Sequence, residues 1–422
     1  MSDHDPYAVL RYRSFRLFIT GTLLANLGSQ MLTVAVGWEL YERTHSAMAL
    51  GWVGFIQFLP IILLALPAGH LADRLERRRI VMIAQSFTAS AALGLAIFSY
   101  LGSDVRWMYL CLFLTGTARA VAMPSAQSMM PLLVPRNLFS NAVTWRSSAF
   151  HLASTVGPAL GGLLIAQCRL PAVVYGTNAV LTLAGVACLA GVQTRATEPT
   201  TATLSIRTLL AGARFVWQTK LILATMTLDL FAVLLGGATA LLPVYAKDIL
   251  HVGPTGLGWL RAAPAIGALG MGLCLAHRPP LKRAGPAMLA AVLGFGLATI
   301  VFGISRNYVL SLAMLFLTGV LDNISVVIRH TLIQTATPDA LRGRVSAVNG
   351  LFISCSNELG GFESGLVAAC FTTVVSVVSG GVGTILVVLG VAGLWPQLRK
   401  LKKLQPAATP VSEEEDAERP SA

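Results

Sequence analysis

The sequence predicts an all-α membrane protein with twelve transmembrane helices, arranged as two pseudo-symmetric bundles of six. Low charge content, apolar runs of membrane-spanning length and a long internal repeat lead to this prediction. Charged residues make up 12% of the 422 residues and hydrophobic residues 55%. Soluble domains carry about 25% charged residues, and the mean hydropathy of +0.69 points the same way.

Apolar runs occur along nearly the whole chain. A helix crosses a bilayer core about 30 Å thick with about 20 apolar residues. The first run is too long for a signal peptide and lacks a small-residue cleavage site, so we expect it to remain as a span. The predicted spans are 17–40, 48–71, 80–101, 107–132, 141–166, 171–192, 221–246, 256–277, 285–304, 308–333, 344–368 and 370–395.

Lysine and arginine predict the orientation of these spans. If the N-terminus is cytoplasmic, the cytoplasmic segments carry 22 of the 31 basic residues, the outer loops carry five, and four lie within spans. Cytoplasmic loops of membrane proteins are enriched in Lys and Arg, so we expect both termini in the cytoplasm. The net charge of +12 then reflects topology and contact with anionic lipid, and we expect no nucleic-acid partner.

An internal repeat relates the two halves of the chain. A shift of 203 residues superposes Gly116 on Gly319 and Pro135 on Pro338. Two six-helix halves in parallel orientation are typical of secondary transporters with a substrate site between the halves. We therefore expect an N-terminal bundle over residues 1–192, a cytoplasmic linker over 193–220, a C-terminal bundle over 221–396 and a disordered cytoplasmic tail over 397–422.

The loop between spans 2 and 3 reads GHLADRLERRR. As a basic loop it could serve only to set topology. Its order of Gly, Leu, Asp, Arg and a basic cluster resembles the signature loop G-x-L-A-D-R-x-G-R-R of the major facilitator superfamily, with Glu76 where that family usually has Gly. The resemblance implies the major facilitator fold and a cytoplasmic gate in which Asp73 faces the start of span 11. The implied gate residues are Gly69, Asp73, Arg74, Arg77 and Arg78, with Arg342 and Arg344 as candidate partners.

Span 5 contains the sequence GPALGG. Small residues and proline at this spacing give a narrow, bendable helix face, which is also compatible with ordinary helix packing. The segment is similar to the G-P-x-x-G-G motif of major facilitator exporters, through Gly157, Pro158, Gly161 and Gly162, and implies efflux by proton antiport. Several longer segments, among them LRGRVSAVNGLFISCSNELGGFESGL, resemble bacterial facilitators related to the enterobactin (siderophore) exporters.

Ionisable residues inside the spans are candidates for proton coupling, because each costs about 2.5–3.5 kcal/mol at the bilayer centre. Arg119 resembles the buried arginine of span 4 that the superfamily associates with coupling, and the repeat places Asp322 at the same depth. The two would form a switchable pair or a static salt bridge, unless helix carbonyls hold Arg119. The carboxylates that compete as proton carriers are Asp322, Glu358, Glu363 and Asp229, and we favour Asp322 and Glu358 on depth. Arg329 lies about 10 Å along the helix from Asp322, so we expect each to have another partner.

Polar residues at helical spacing are candidates for lining a substrate cavity. Hydrogen bonding between helices is an equally good explanation for the stripe in span 1. His151 fits a packing role better, and we expect Glu39 at the outer interface. The cavity candidates are Asn26, Gln30, Thr33, Arg146, Arg261, Asn349 and Ser356.

These features together predict a secondary active transporter that works by alternating access, most simply by exporting a drug, siderophore or metabolite in exchange for protons. Proton-coupled uptake, lipid flipping and, outside this class, a non-transporting membrane sensor are the alternatives. The sequence has no HExxH, GxSxG or Walker loop and no metal-ligand spacing among its six cysteines, so we expect neither an enzyme nor a metal or other cofactor. We expect a monomer in the bacterial inner (plasma) membrane.

Overall fold

The computed structural model describes residues 5, 7–74, 76–193, 206–279 and 283–402, without the side chains of residues 65–74, 136, 206–209, 339 and 340. No β-strand occurs in this part of the chain. Its α-helices are α1 (Arg13–Thr44), α2 (Ala47–Arg74), α3 (Arg77–Tyr100), α4 (Val105–Leu133), α5 (Phe139–Cys168), α6 (Pro171–Ala190), α7 (Ile206–Gln218), α8 (Lys220–Leu235), α9 (Leu242–Val244), α10 (Gly253–Ala276), α11 (Ala284–Ile304), α12 (Tyr308–Ala336), α13 (Asp339–Cys370), α14 (Thr373–Leu394) and α15 (Pro396–Lys400).

Ten helical segments in the described residues are long and apolar enough to cross a membrane, with α8, α9 and the turns around α9 forming one of them. Two further helices, α4 with 29 residues and α13 with 32, have the length but a more polar composition. The prediction of an all-α membrane protein is confirmed. The two less apolar helices belong to opposite halves of the chain, and both carry charged residues in their middle.

Helices α1 to α6 pack mainly on one another, and so do α8 to α14; α5 against α10 and α2 against α13 join the two groups. The repeat is visible in this packing. Gly116 lets α4 approach α2, where a Cβ would lie 3.0 Å from the Gln57 carbonyl oxygen. Gly319 lets α12 approach α10 at the carbonyl oxygen of Pro264. The superposed glycines therefore perform the same packing role in each half.

The seventh predicted span is not one continuous helix. After α8 ends at Leu235, residues Ala238–Leu241 form a 3₁₀ turn, α9 follows, and Tyr245–Ile249 form a π-helical turn. Gly236, Gly237 and Pro243 lie in this stretch, and such residues weaken a regular helix. The Gly237 carbonyl accepts a hydrogen bond from Ser364 of α13 at 3.4 Å, so a neighbouring helix satisfies one backbone group freed by the break.

Two segments outside the bundles are also helical. Within the predicted linker, α7 packs on the start of α13, where a Cβ at Gly212 would lie 2.9 Å from the Arg344 carbonyl oxygen. Within the segment predicted to be a disordered tail, α15 packs on α11, and its Leu398 is fully buried. The rest of that tail, residues 403–422, lies outside the described residues.

Candidate functional site

An ion pair joins the two halves near the middle of the molecule. Arg119 of α4 donates a hydrogen bond through Nη1 to Oε1 of Glu358 on α13, at 3.0 Å. The Arg119 side chain is 50% exposed and that of Glu358 17%, so the pair lines an open space between the halves. Arg261 of α10 also acts electrostatically on the Glu358 carboxylate and donates to the Thr239 carbonyl at 3.4 Å. One carboxylate is thus in contact with Arg119 and within electrostatic reach of a second guanidinium group.

Asp322 is not the partner of Arg119. It lies between two cavities of the C-terminal half, one of about 180 Å³ and one of about 10 Å³. The larger cavity is bordered by the helix break at Gly236–Thr239 and by Asn357, the residue before Glu358. Among the described residues Asp322 has no hydrogen-bond or ion-pair partner. Its position beside these cavities still suits an ionisable functional group, but the group lies within the C-terminal half and not in the contact between the halves.

Asp229 and Arg329 form a second, buried ion pair between α8 and α12. Both side chains are less than a tenth exposed. Asp229 is therefore the other partner expected for Arg329, whereas the other partner expected for Asp322 is not found among the described residues. Because a buried charge without its partner is strongly unfavourable, this pair holds α8 and α12 together within the C-terminal half.

The GPALGG motif lies where the two halves touch. We call this the distal end, the end of the bundle opposite the N-terminus of α1. Gly161 faces α1, and a Cβ there would lie 2.9 Å from the Met31 carbonyl oxygen. Gly162 faces α10 of the other half, and a Cβ at Gly162 would lie 3.0 Å from the Cα of Gly258. One face of the motif therefore packs within its own half and the other closes the contact between halves.

Further contacts close the distal end. Gly365 of α13 packs on Gly51 of α2, with a Cβ at Gly365 only 2.6 Å from the Gly51 Cα. Tyr41 at the end of α1 donates a hydrogen bond to Asp248 in the π-helical turn. Lys247 in the same turn pairs with Glu42 at 3.5 Å. The distal end is thus sealed by backbone packing and by polar contacts between α1 and the broken span.

The predicted gating loop lies at the opposite, proximal end. The side chains of Gly69, Asp73 and Arg74 are outside the described residues, so the proposed contact of Asp73 stays a prediction. Arg77 donates to the Ser128 carbonyl of α4 at 3.1 Å, and Arg78 donates to two carbonyls at the end of α6.

Arg78 therefore caps α6, as a cation favours the negative end of a helix dipole. Arg342 is exposed and interacts with another group of the protein. The backbone carbonyl of Arg344 lies against Gly212 of α7. Arg77 and Arg78 thus bind neighbouring helices of their own half, and α7 contacts the segment that the gate is expected to use.

The predicted polar stripes differ in what they face. Gln30 of α1 donates to Ser154 of α5 at 3.4 Å, and Thr33 bonds to the Ser29 carbonyl within α1. Asn349 and Ser356 are at most 5% exposed, so they pack inside the C-terminal half and do not line an open cavity as predicted. The remaining candidates, Asn26, Arg146 and Glu363, are half-buried, as is His151.

Sequence reasoning misplaced Glu39. It is 4% exposed and pairs with Arg43 one helical turn later at 2.6 Å. Arg43 also donates to the Ser99 and Ser103 carbonyls, which ties the end of α1 to the end of α3. The i, i+4 spacing of opposite charges is the signal that indicates this pairing. Glu39 therefore belongs to the buried support of the distal end and not to the lipid interface.

Known proteins resemble this chain over nearly its whole length. The profile of the transmembrane secretion effector family matches residues 4–418. Enterobactin exporter EntS of Escherichia coli O1:K1 / APEC is 27% identical over 408 residues, which cover 94% of this chain and 95% of the relative. The exporter of the same name from Shigella boydii serotype 18 gives the same figures.

Solved structures agree on the fold. A bacterial homologue of the human lysosomal transporter Spinster, in an inward-facing and occupied conformation, has a TM-score of 0.70 at 14% identity and covers 94% of this chain and 99% of its own. A D-xylose–proton symporter has a TM-score of 0.70 at 13% identity, over 93% and 100% of the two chains. The helix order, the repeat and these matches show that the chain is a multi-pass membrane transporter and belongs to the transmembrane secretion effector family of the major facilitator superfamily.

Proposed function

We propose that this transporter exports a small molecule across the bacterial inner membrane in exchange for protons. The observation that carries the proposal is the Arg119–Glu358 ion pair, which spans the two halves beside an open space. The relatives named as enterobactin exporters support the direction of transport. The split of basic residues supports a cytoplasmic proximal end and a periplasmic distal end.

The ion pair provides a physical basis for coupling. A proton on Glu358 removes its negative charge, so the attraction to Arg119 and Arg261 is lost. The contact between α4 and α13 then no longer favours closure of the distal end. An anionic group of the cargo breaks the pair in the other way, by taking the place of the carboxylate on Arg119 while Glu358 carries no proton, so proton and cargo cross in opposite half-cycles, as exchange requires. Release of the proton to the cytoplasm would restore the pair. Each state is thus stabilised by a different partner of the same guanidinium group.

The closed distal end supports alternating access as the form of this transport. Gly162 and Gly365 make the halves touch by backbone contact, which can be broken by rigid-body rocking without unfolding either half. In the alternate state we expect the Asp73 loop to close the proximal end against Arg342 or Arg344. The major facilitator resemblance of that loop supports this role. We propose a monomer as the functional unit, since each chain contains both halves of the pathway.

Flux in inverted membrane vesicles tests the proposal, with radiolabelled enterobactin as the first cargo. An acidic vesicle lumen should drive uptake into the lumen, which corresponds to export from the cell. Arg119→Ala and Glu358→Gln should abolish proton-driven flux, whereas Asp104→Asn, a carboxylate-to-amide change at the N-cap of α4, should not. Flux only in the opposite direction would contradict export, and wild-type flux and pH dependence in Arg119→Ala would contradict the coupling role. If enterobactin itself is not carried, the same assay extends to other anionic siderophores.

A further inference from the structure

The small cavity beside Asp322 brings together groups that the proposed transport cycle does not use. It has a volume of about 10 Å³ and lies between α8, α11 and α12. Its polar lining consists of Asp229, Asp322 and Ser325, and α11 contributes only Val292 and Phe295. This volume is about that of one water-sized sphere. The cavity therefore admits a single small occupant.

Ser325 indicates that this occupant is a polar ligand. The residue is 2% exposed, and its Oγ has no hydrogen-bond partner in the described part of the chain. A buried hydroxyl without a partner costs about 1–3 kcal/mol. Because Ser325 lines the cavity, a polar ligand bound there would be the missing partner of its hydroxyl.

The charges at the cavity indicate the sign of the ligand. Asp229 is paired with Arg329, and Asp322 has no partner among the described residues. Two carboxylates and one guanidinium leave one negative charge without compensation in a region of low dielectric constant, which is strongly unfavourable. One monovalent cation balances the site. We propose that Asp322, Asp229 and Ser325 bind one Na⁺ ion.

The route to the site supports a cation. The larger cavity reaches Asp322 past the carbonyl end of α8 and the break at Gly236–Thr239. The C-terminal end of a helix carries partial negative charge, and unwound segments of transporter helices offer carbonyl oxygens to Na⁺. Hard cations take oxygen ligands, and every polar side chain that lines the smaller cavity provides oxygen. A proton held by one carboxylate, with a water molecule at the Ser325 hydroxyl, would also balance the charge and fill the cavity, and the measurements below distinguish that arrangement from bound Na⁺.

Bound Na⁺ would act on the contact between α8 and α12. The ion shares Asp229 with Arg329, so its arrival weakens the ion pair that joins these helices, while the ion itself links Asp229 of α8 to Asp322 and Ser325 of α12. The site is separate from Arg119 and Glu358. Its occupancy is therefore measurable without cargo or transport, and failure of the export proposal would leave that measurement unaffected.

Equilibrium binding of ²²Na⁺ to the full chain, purified in detergent, tests the proposal at constant ionic strength with choline as the balancing cation. Wild-type protein should bind one ion per chain in a saturable manner. Asp322→Asn should lower the affinity at least about tenfold, and Ser325→Ala, which removes a single oxygen ligand, about two- to tenfold. The matched control Asp104→Asn should bind as the wild type does.

The melting temperature is a second measurement, which keeps the proposal testable if one of the site variants fails to fold. Na⁺, but not choline, should raise the melting temperature of the wild type and of Asp104→Asn, since a ligand that binds only the folded state stabilises it. The rise should be reduced in Ser325→Ala even if Asp322→Asn is not monodisperse. Absence of saturable ²²Na⁺ binding by the wild type, or equal binding by the wild type and both site variants, would overturn the proposal. A site that takes up a proton and no Na⁺ would overturn it equally.

Discussion

Gly162→Val should open the distal end. A Cβ at this position would lie 3.0 Å from the Gly258 Cα and 3.1 Å from the Gly258 nitrogen, and it would also overlap the Pro254 carbonyl oxygen. These neighbours are backbone atoms of α10, so no side chain can rotate away to make room. Overpacking of this kind costs about 1–3 kcal/mol. The cost falls on the closed state, in which α5 and α10 touch.

The expected effect is a change in the population of the two states. Each 1.4 kcal/mol corresponds to a factor of ten in an equilibrium constant, so the cost above shifts the balance toward the separated state by about 5- to 150-fold. Two labels placed at exposed positions of opposite halves, Leu101→Cys and Arg306→Cys, report this separation. The six native cysteines must first be replaced.

Double electron–electron resonance then gives the distance distribution between the labels. Gly162→Val should broaden the distribution toward longer distances. Gly176→Ala in α6 is the matched control, because a Cβ there meets nothing within 4 Å, and it should leave the distribution unchanged. A distribution identical to that of the wild type in folded Gly162→Val would refute the reasoning that this glycine contact closes the distal end.

Three further predictions concern the gate, the buried ion pair and the distal hydrogen bond. Asp73→Asn should impair transport at normal expression, and unchanged flux would remove the loop from the gate. Arg329→Met should lower stability by about 3–5 kcal/mol, since Asp229 is left as a buried charge; thermal unfolding measures this, and adding Asp229→Asn should restore part of the loss. Tyr41→Phe removes the hydrogen bond to Asp248 and should lengthen the distal label distance as Gly162→Val does, because a hydrogen bond to a charged group contributes about 1.5–3 kcal/mol, a cost similar to that of the overpacking; an unchanged distance would show that this hydrogen bond does not help to close the distal end.

The fold was largely predictable because membrane helices are constrained by length and hydropathy. The break in the seventh span was missed, although Gly236, Gly237 and Pro243 were visible as weak points. Hydropathy does not register them, since glycine and proline are common in membrane helices. Helix α7 was missed for a different reason. Its stability comes from packing on α13, and a linker sequence does not reveal that contact.

The site was only partly predictable. Arg119 was identified as an isolated charge in a span, but its partner lies 239 residues away on a helix of the other half. Repeat symmetry pointed to Asp322 because it relates equivalent positions, whereas contacts between halves join helices that are not equivalent. The spacing of Ser356 predicts that it lines a cavity, yet the structure buries it fully. Spacing gives the face of a helix and not the neighbour that covers it.

The central claim is that protonation of Glu358 releases Arg119 and allows the halves to separate at the distal end. The most direct measurement is the distance distribution between labels at Leu101→Cys and Arg306→Cys as the pH is lowered, in the wild type and in Glu358→Gln. The wild type should shift from the closed to the separated distribution as the pH falls. Glu358→Gln, which cannot carry the negative charge, should show the separated distribution at every pH. A wild-type distribution that does not change with pH, or a Glu358→Gln variant that follows the wild type, would contradict the account.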